Sequence, residues 1–85
     1  MEENNHIIVN FQPFVAKQEI LVYINGNCEK QIYVSVDRIV DSVKGLKSTY
    51  NINKIDLCGN RDYLSFFKEK MLDSYDNCTI TIYNR

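Results

Sequence analysis

Residues 19–36, E-I-L-V-Y-I-N-G-N-C-E-K-Q-I-Y-V-S-V, carry the strongest structural signal in the chain. The segments 19–25 and 30–36 are rich in β-branched and aromatic side chains, which favour strands. Between them lies Asn25-Gly26, a dipeptide that tolerates the positive φ angles of a two-residue hairpin turn. The second segment alternates with a period of two, placing Ile32, Val34 and Val36 on one face and Gln31, Tyr33 and Ser35 on the other. These features predict a β-hairpin with one buried face.

Three further strands are predicted outside this hairpin. Residues 6–11 (H-I-I-V-N-F) precede it, and Gln12-Pro13-Phe14 interrupts that strand because proline cannot donate to a sheet ladder. Residues 53–58 (N-K-I-D-L-C) and 78–83 (C-T-I-T-I-Y) follow it, with a turn at residues 76–77. In the last strand, alternation predicts that Ile80 and Ile82 face inward and that Thr79, Thr81 and Tyr83 face outward.

An amphipathic helix is predicted after the hairpin. Asp37 is a suitable N-cap, since its carboxylate can accept the unpaired amides of a first turn, and Asn51 is a reasonable terminator. The apolar stripe has helical spacing and consists of Ile39, Val43, Leu46 and Tyr50. Gly45 lies inside this helix, where glycine costs about 1 kcal/mol relative to alanine. We therefore expect Gly45 to pack closely on a neighbour.

A second amphipathic helix is predicted at about residues 61–75, with Asn60 as its N-cap. Its apolar stripe consists of Leu64, Phe67, Met71 and Tyr75. Tyr63 and Phe66 are expected to widen that stripe.

The element order is therefore β-β-β-α-β-α-β in a single domain spanning residues 1–85. We predict an α+β or α/β fold with a five-stranded mixed sheet and two amphipathic helices. The fourth and fifth strands should run parallel, because a helix connects them in a crossover. The helices could cover one face of the sheet or be divided between two, and the strand order stays open.

This order of elements resembles the ribonuclease H-like fold over nearly the whole chain, in topology and without a sequence motif. Catalytic members of that family hold divalent metals with clustered carboxylates, one from the first strand and another from the end of the fourth. Here Asn10 stands where the first acid is expected, Asp56 is roughly in place, and the usual C-terminal helix is absent. One carboxylate cannot hold two metal ions, so the resemblance implies a shortened, non-catalytic version.

The bulk composition excludes several classes of protein. With 45% apolar and 25% charged residues, the chain is neither disordered nor low in complexity. Three cysteines without a C-x-x-C spacing, and one histidine, indicate neither a disulfide framework nor a metal site. A polar N-terminus and no long apolar run predict a cytoplasmic protein without a membrane span. We expect no catalytic residues, no cofactor and no metal.

Aromatic residues are more numerous than a small core needs, with six tyrosines and four phenylalanines. Exposed tyrosines are favoured at protein interfaces, although packing on the sheet surface and stacking on nucleic-acid bases are alternatives. Tyr23 and Tyr33 are also placed to form a cross-strand pair. The candidate partner surface consists of Tyr23, Tyr33, Tyr83, Asn60 and Arg61.

Three further features have both a functional and a structural interpretation. Asp56 points to the sheet face opposite to Ile55 and Leu57. It could act there as a ligand or base, or it could cap a nearby turn or face solvent. Residues 58–62 join the end of a strand to the start of a helix. Helix amides at such a place can bind a ligand, although the segment could equally be an ordinary strand-to-helix turn. The net charge is −1, yet residues 38–70 carry a local +3. The candidate anion contacts there are Arg38, Lys44, Lys47 and Lys54, which a solvated helix face would also explain.

Together these observations predict a small non-enzymatic protein-interaction module with a protein partner. Frequent Asn, Ile, Lys and Tyr are typical of an A/T-rich genome. One hypothesis is therefore that a phage or mobile element encodes this protein and that it acts on a host protein. The alternative is nucleic-acid binding by a degenerate ribonuclease H-like domain, and a metal-dependent nuclease using Asp56 is a third hypothesis. A homodimer is also expected, because the last strand has an outer face without lysine to block edge pairing.

Overall fold

Five strands and two helices occur in the predicted order in the computed structural model, which describes residues 4–75 and 77–84. The strands are β1 (Asn5–Asn10), β2 (Lys17–Ile24), β3 (Asn27–Ser35), β4 (Lys54–Gly59) and β5 (Thr79–Asn84). The helices are α1 (Ile39–Tyr50), preceded by a 3-10 turn at Val36–Arg38, and α2 (Arg61–Ser74). The predicted fold class, a single α+β domain with a mixed sheet, is confirmed.

The strands form one sheet in the order β3-β2-β1-β4-β5. β1 pairs antiparallel with β2, and β2 pairs antiparallel with β3. β1, β4 and β5 run parallel, as the helical crossover between β4 and β5 predicts. The central strand is thus the first one in the chain, and β3 and β5 are the edges.

The β2–β3 hairpin turns at Asn25 and Gly26, whose φ angles of 51° and 86° confirm the predicted two-residue turn. A bulge between Val22 and Tyr23 shifts the register near this turn. In this ladder Tyr23 lies opposite Cys28, and Tyr33 lies opposite Glu19. The expected cross-strand pair of these two tyrosines is therefore wrong.

Both helices pack on the same face of the sheet. α1 lies over β1, β2 and β3, α2 lies over β4 and β5, and the helices touch each other. The core between them includes the fully buried Ile7, Val9, Ile20, Val22, Ile39, Ile55, Leu57, Leu64 and Met71. The opposite face, called the outer face below, carries His6, Ile8 and Asn10 of β1 with their lateral neighbours. Within the described residues, no helix covers it.

Helix α1 buries its predicted stripe, but its start and its glycine differ from expectation. Asp37 lies within the 3-10 turn, and Arg38 occupies the N-cap position without a side-chain hydrogen bond. The prediction of Asp37 as N-cap is wrong, because the chain tightens by one turn before the α-helix begins. Gly45 is exposed, and a Cβ atom built there would meet nothing within 4 Å. Asn51 is confirmed as the terminator, with a left-handed φ of 54°.

Helix α2 begins at its predicted N-cap and buries Leu64, Phe67 and Met71. Tyr63 and Phe66 flank the stripe, with ring centroids 5.2 Å and 6.0 Å from that of Phe67, but they stay 45% and 56% exposed and do not extend its buried part. At the end of the helix, the Tyr75 hydroxyl donates to the Val40 carbonyl at 2.5 Å and so links α2 to α1. Burial raises the pKa of Tyr75 above its ordinary value.

The predicted turn before β5 includes Asp76, which lies outside the described residues, and Asn77, which has a φ of 53°. Among residues 4–75 and 77–84, neither helix has the length and apolarity needed to cross a membrane.

Candidate functional site

The loop between β1 and β2 presents a fully exposed phenylalanine. Phe14 has a relative exposure of 105%, the highest among the exposed large apolar side chains. Its φ of 65° lies in the left-handed region, which glycine adopts readily and which costs other residues about 1–2 kcal/mol. The fold therefore holds Phe14 in an unfavourable conformation without gaining any burial of its ring.

The loop is anchored on both sides of this residue. Gln18 is only 4% exposed, and its side chain exchanges two hydrogen bonds with the backbone of Gln12. The Gln12 amide donates to Gln18 Oε1 at 2.7 Å, and Gln18 Nε2 donates to the Gln12 carbonyl at 3.0 Å. The Phe11 amide donates to the Cys58 carbonyl at 2.9 Å, which ties the loop to β4. The position of Phe14 is thus set by the backbone around it.

A groove of about 680 Å³ lies beside Phe14, at the carboxyl ends of β1 and β4. The chain leaves these two adjacent parallel strands toward opposite edges of the sheet, and such switch points are where open α/β sheets form crevices. No charged side chain lines the groove within the described residues. Its apolar lining, called the Phe14 surface below, consists of Phe11, Pro13, Phe14, Val15, Val36 and Tyr63.

The floor of this groove is closely packed. The Phe11 ring packs against Phe67 and Tyr63, with ring centroids 5.0 Å and 5.7 Å away. Gly59 has a φ of 152°, and a Cβ there would lie 3.0 Å from Phe11 Cβ. A side chain at position 59 would therefore push into the floor, and glycine is needed at this close approach.

The start of α2 also borders the groove, but its amides are already bonded. Asn60 Oδ1 accepts from the amides of Asp62 and Tyr63, at 3.0 Å and 3.3 Å. The amide of Arg61 donates to Asn84 Oδ1 at 3.1 Å, and that of Leu64 donates to the Asn60 carbonyl. Residues 58–62 thus form a strand-to-helix turn in which the first four amides of α2 already have acceptors within the protein.

A second groove of about 440 Å³ lies between α1 and α2 and shares Val36 with the first. The exposed Phe66 ring lies in it, with the Lys70 ammonium 4.5 Å from the ring centroid. Unlike the first groove, it is lined by charged side chains, namely Asp37, Asp41, Lys70 and Asp73.

The three tyrosines of the predicted partner surface lie on the outer face, but the structure does not bring them together. Tyr23 stacks on His6, with ring centroids 5.1 Å apart and planes within 9°. Tyr33 stands on the edge strand β3, and its hydroxyl donates to Glu19 Oε2 at 3.2 Å. That hydrogen bond is the main reason why the pKa of Tyr33 is raised. Tyr83 lies on the opposite edge, opposite Cys58.

The remaining predicted partner residues, Asn60 and Arg61, lie at the end of β4 and the start of α2. Asn60 lines the Phe14 groove, while the tyrosines stand on the outer face. The predicted surface is therefore divided between two regions of the molecule.

Asp56 lies in the middle of the outer face, between Ile8 and Thr81 on the neighbouring strands. It is only 8% exposed, and its Oδ1 has no hydrogen-bond partner within the described residues. It thus neither caps a turn nor extends into solvent. Asn10 lies on the same face of β1, two residues after Ile8, and its side-chain amide donates to Glu19 Oε1 at 2.7 Å. No group of three or more metal-ligating side chains occurs in residues 4–75 and 77–84.

The candidate anion contacts do not form one continuous track. Arg38 precedes α1, while Lys44 and Lys47 lie on that helix. Lys54 starts β4 and shares the outer face with Asp56 by strand alternation, so it lies on the other side of the sheet from α1. Lys47 lies near Cys78, where it partly opposes the raising of the Cys78 thiol pKa by burial.

No family model, curated protein or solved structure matches the chain. The sequence interpretation missed the Phe14 surface, because it treated Gln12-Pro13-Phe14 only as the end of a strand. A signal was present: a loop that contains Phe11, Phe14 and Val15 is unusually apolar. The pattern alone does not tell that Phe11 is buried while Phe14 is exposed.

Proposed function

We propose that this chain is a non-enzymatic protein-interaction module that binds its partner through the Phe14 surface. The observation that carries this proposal is the fully exposed ring of Phe14, held at a φ of 65°. Strained residues at surface loops are frequent where a protein makes functional contacts. Burial of the ring against a partner would offset the free energy that its backbone conformation costs.

The surroundings of Phe14 support a protein partner. Aromatic anchors beside apolar pockets are typical of the central residues of protein interfaces, where few side chains supply most of the binding free energy. The groove provides such a pocket, and the anchored loop holds the ring in place before binding. A preorganised loop loses little conformational entropy on association, which favours affinity.

The experiment is a comparative co-purification from the lysate of a low-G+C bacterium, the setting that the residue usage favours. Tagged wild-type protein is compared with Phe14→Ser and with Leu72→Ser. Leu72 is 52% exposed on α2 and lines neither groove, so it controls for the loss of any exposed apolar side chain. We expect a partner that the wild type and Leu72→Ser retain and that Phe14→Ser loses.

Equal recovery of all partners by the three proteins, together with no self-association that depends on Phe14, would contradict this proposal. Nucleic-acid binding, the alternative function, is tested on the same proteins by a salt-dependent mobility shift of labelled DNA and RNA. A shift that disappears when Lys44 and Lys47 are replaced by glutamine, and that Phe14→Ser leaves unchanged, would favour that alternative.

A further inference from the structure

Resting on the proposed function, we propose that the partner on the Phe14 surface is a second copy of this chain. In the resulting two-fold dimer, Phe14 of each copy enters the groove of the other. A two-fold interface uses the same patch on both subunits, so the patch must be complementary to itself. The Phe14 surface meets this requirement, because a protruding ring and an apolar groove lie side by side on it.

The charge distribution favours this surface for self-association. In a two-fold dimer, a residue that lies close to the symmetry axis also lies close to the same residue of the other copy. A charged side chain there therefore faces an identical charge. Within the described residues, no charged side chain lines the Phe14 groove, and no such repulsion arises there. The groove between the helices is different, since the charged side chains that line it are three aspartates, Asp37, Asp41 and Asp73, and one lysine, Lys70, which leaves a net negative charge on both copies. Like charges in contact oppose association by several kcal/mol in general.

The dimensions agree with this arrangement. A groove of about 680 Å³ lies within the range of cavities that hold small organic ligands, so it accepts a phenyl ring. The loop that carries Phe14 is fixed by Gln18, so the ring can be inserted without rearrangement of the fold. The dimer would leave the outer face, with Tyr33 and Tyr83, open to a further protein.

The test measures molar mass by sedimentation equilibrium from about 5 µM to about 500 µM, a range that brackets micromolar dissociation constants. The wild type is compared with Phe14→Gly, with the control Leu72→Ser, and with Thr81→Lys. We expect the wild type, Leu72→Ser and Thr81→Lys to reach twice the monomer mass. Phe14→Gly should raise the dissociation constant by about 100-fold or more, because two buried rings are lost per dimer.

A second measurement locates the contact. In a mixture of isotope-labelled and unlabelled protein, we expect intermolecular nuclear Overhauser effects between the Phe14 ring and the Val36 methyl groups. A wild type that stays monomeric throughout the range would overturn the inference. So would a dimer that survives Phe14→Gly and dissociates with Thr81→Lys, since that result assigns the contact to pairing of the edge strand β5.

The two proposals fail in different ways. If the wild type is monomeric but still captures another protein only when Phe14 is present, the second-copy inference fails and the proposed function stands. If neither self-association nor capture depends on Phe14, both fail.

Discussion

Replacing Phe14 by glycine should stabilise the isolated fold, although it removes a large apolar side chain. The ring is fully exposed, so its removal sacrifices no burial. The left-handed φ of 65° costs a residue with a Cβ about 1–2 kcal/mol, and glycine does not incur this cost. Glycine in turn loses more entropy on folding, by about 0.5–1 kcal/mol. From the middle of both ranges, the balance is a gain of about 0.75 kcal/mol in the free energy of unfolding.

Phe14→Ala is the matched control for this prediction. Alanine removes the ring but retains the Cβ, so the backbone strain persists and stability should stay within about 0.5 kcal/mol of the wild type. The difference between the glycine and alanine variants therefore isolates the backbone contribution from any contribution of the ring.

The assay is thermal and urea denaturation, followed by circular dichroism at low micromolar concentration so that association does not contribute. For a domain of this size, the expected gain of Phe14→Gly corresponds to a rise in Tm of about 3–6 °C. A glycine variant no more stable than the alanine variant would refute the argument from backbone strain. An alanine variant destabilised by more than about 1 kcal/mol would show that the ring packs within the fold.

Three further substitutions test other parts of the structure. Gly45→Ala should raise the free energy of unfolding by about 0.5–1 kcal/mol, because the site is exposed and open; an unchanged or lower urea midpoint would contradict this. Asn60→Ala should lower it by about 1 kcal/mol, because two α2 amides lose their acceptor; wild-type stability in the same titration would argue against the cap. Tyr75→Phe should lower it by about 1 kcal/mol at neutral pH, because the hydrogen bond to Val40 is lost. Since burial raises the pKa of Tyr75, the unfolded chain releases this proton at lower pH than the folded one. Wild-type stability should therefore decline above about pH 10, and Tyr75→Phe should decline less steeply; parallel curves between about pH 9 and pH 11 would count against the buried hydroxyl.

Local patterns predicted the secondary structure well because they reflect short-range physics. The turn at Asn25-Gly26 depends on the φ preferences of two residues, and the α2 cap depends on the Asn60 side chain reaching the amides two and three residues ahead. The same reasoning failed at Asp37 and Gly45. A 3-10 turn displaced the start of α1, and no neighbour lies near the glycine.

The functional surfaces were less predictable, because they depend on where distant segments meet. The groove forms only where the loop after β1, the end of β4 and the start of α2 converge, and Val36 joins it from the end of the hairpin. The predicted tyrosines Tyr33 and Tyr83 lie on one face, but the strand order places them on opposite edges. Sequence alternation assigns a side chain to a face, whereas strand order decides which side chains on that face are neighbours.

The sequence by itself determined the element order, the mixed sheet, the hairpin turn and most of the buried stripe residues. The mixed sheet follows from the helical crossover between β4 and β5, and the others follow from periodicity and turn chemistry within about ten residues of chain. Only the tertiary structure decided that both helices share one face, that Asp56 is buried on the other, and that Phe14 protrudes beside a groove. Burial and exposure at those positions are set by contacts between segments far apart in the chain, and no local pattern encodes them.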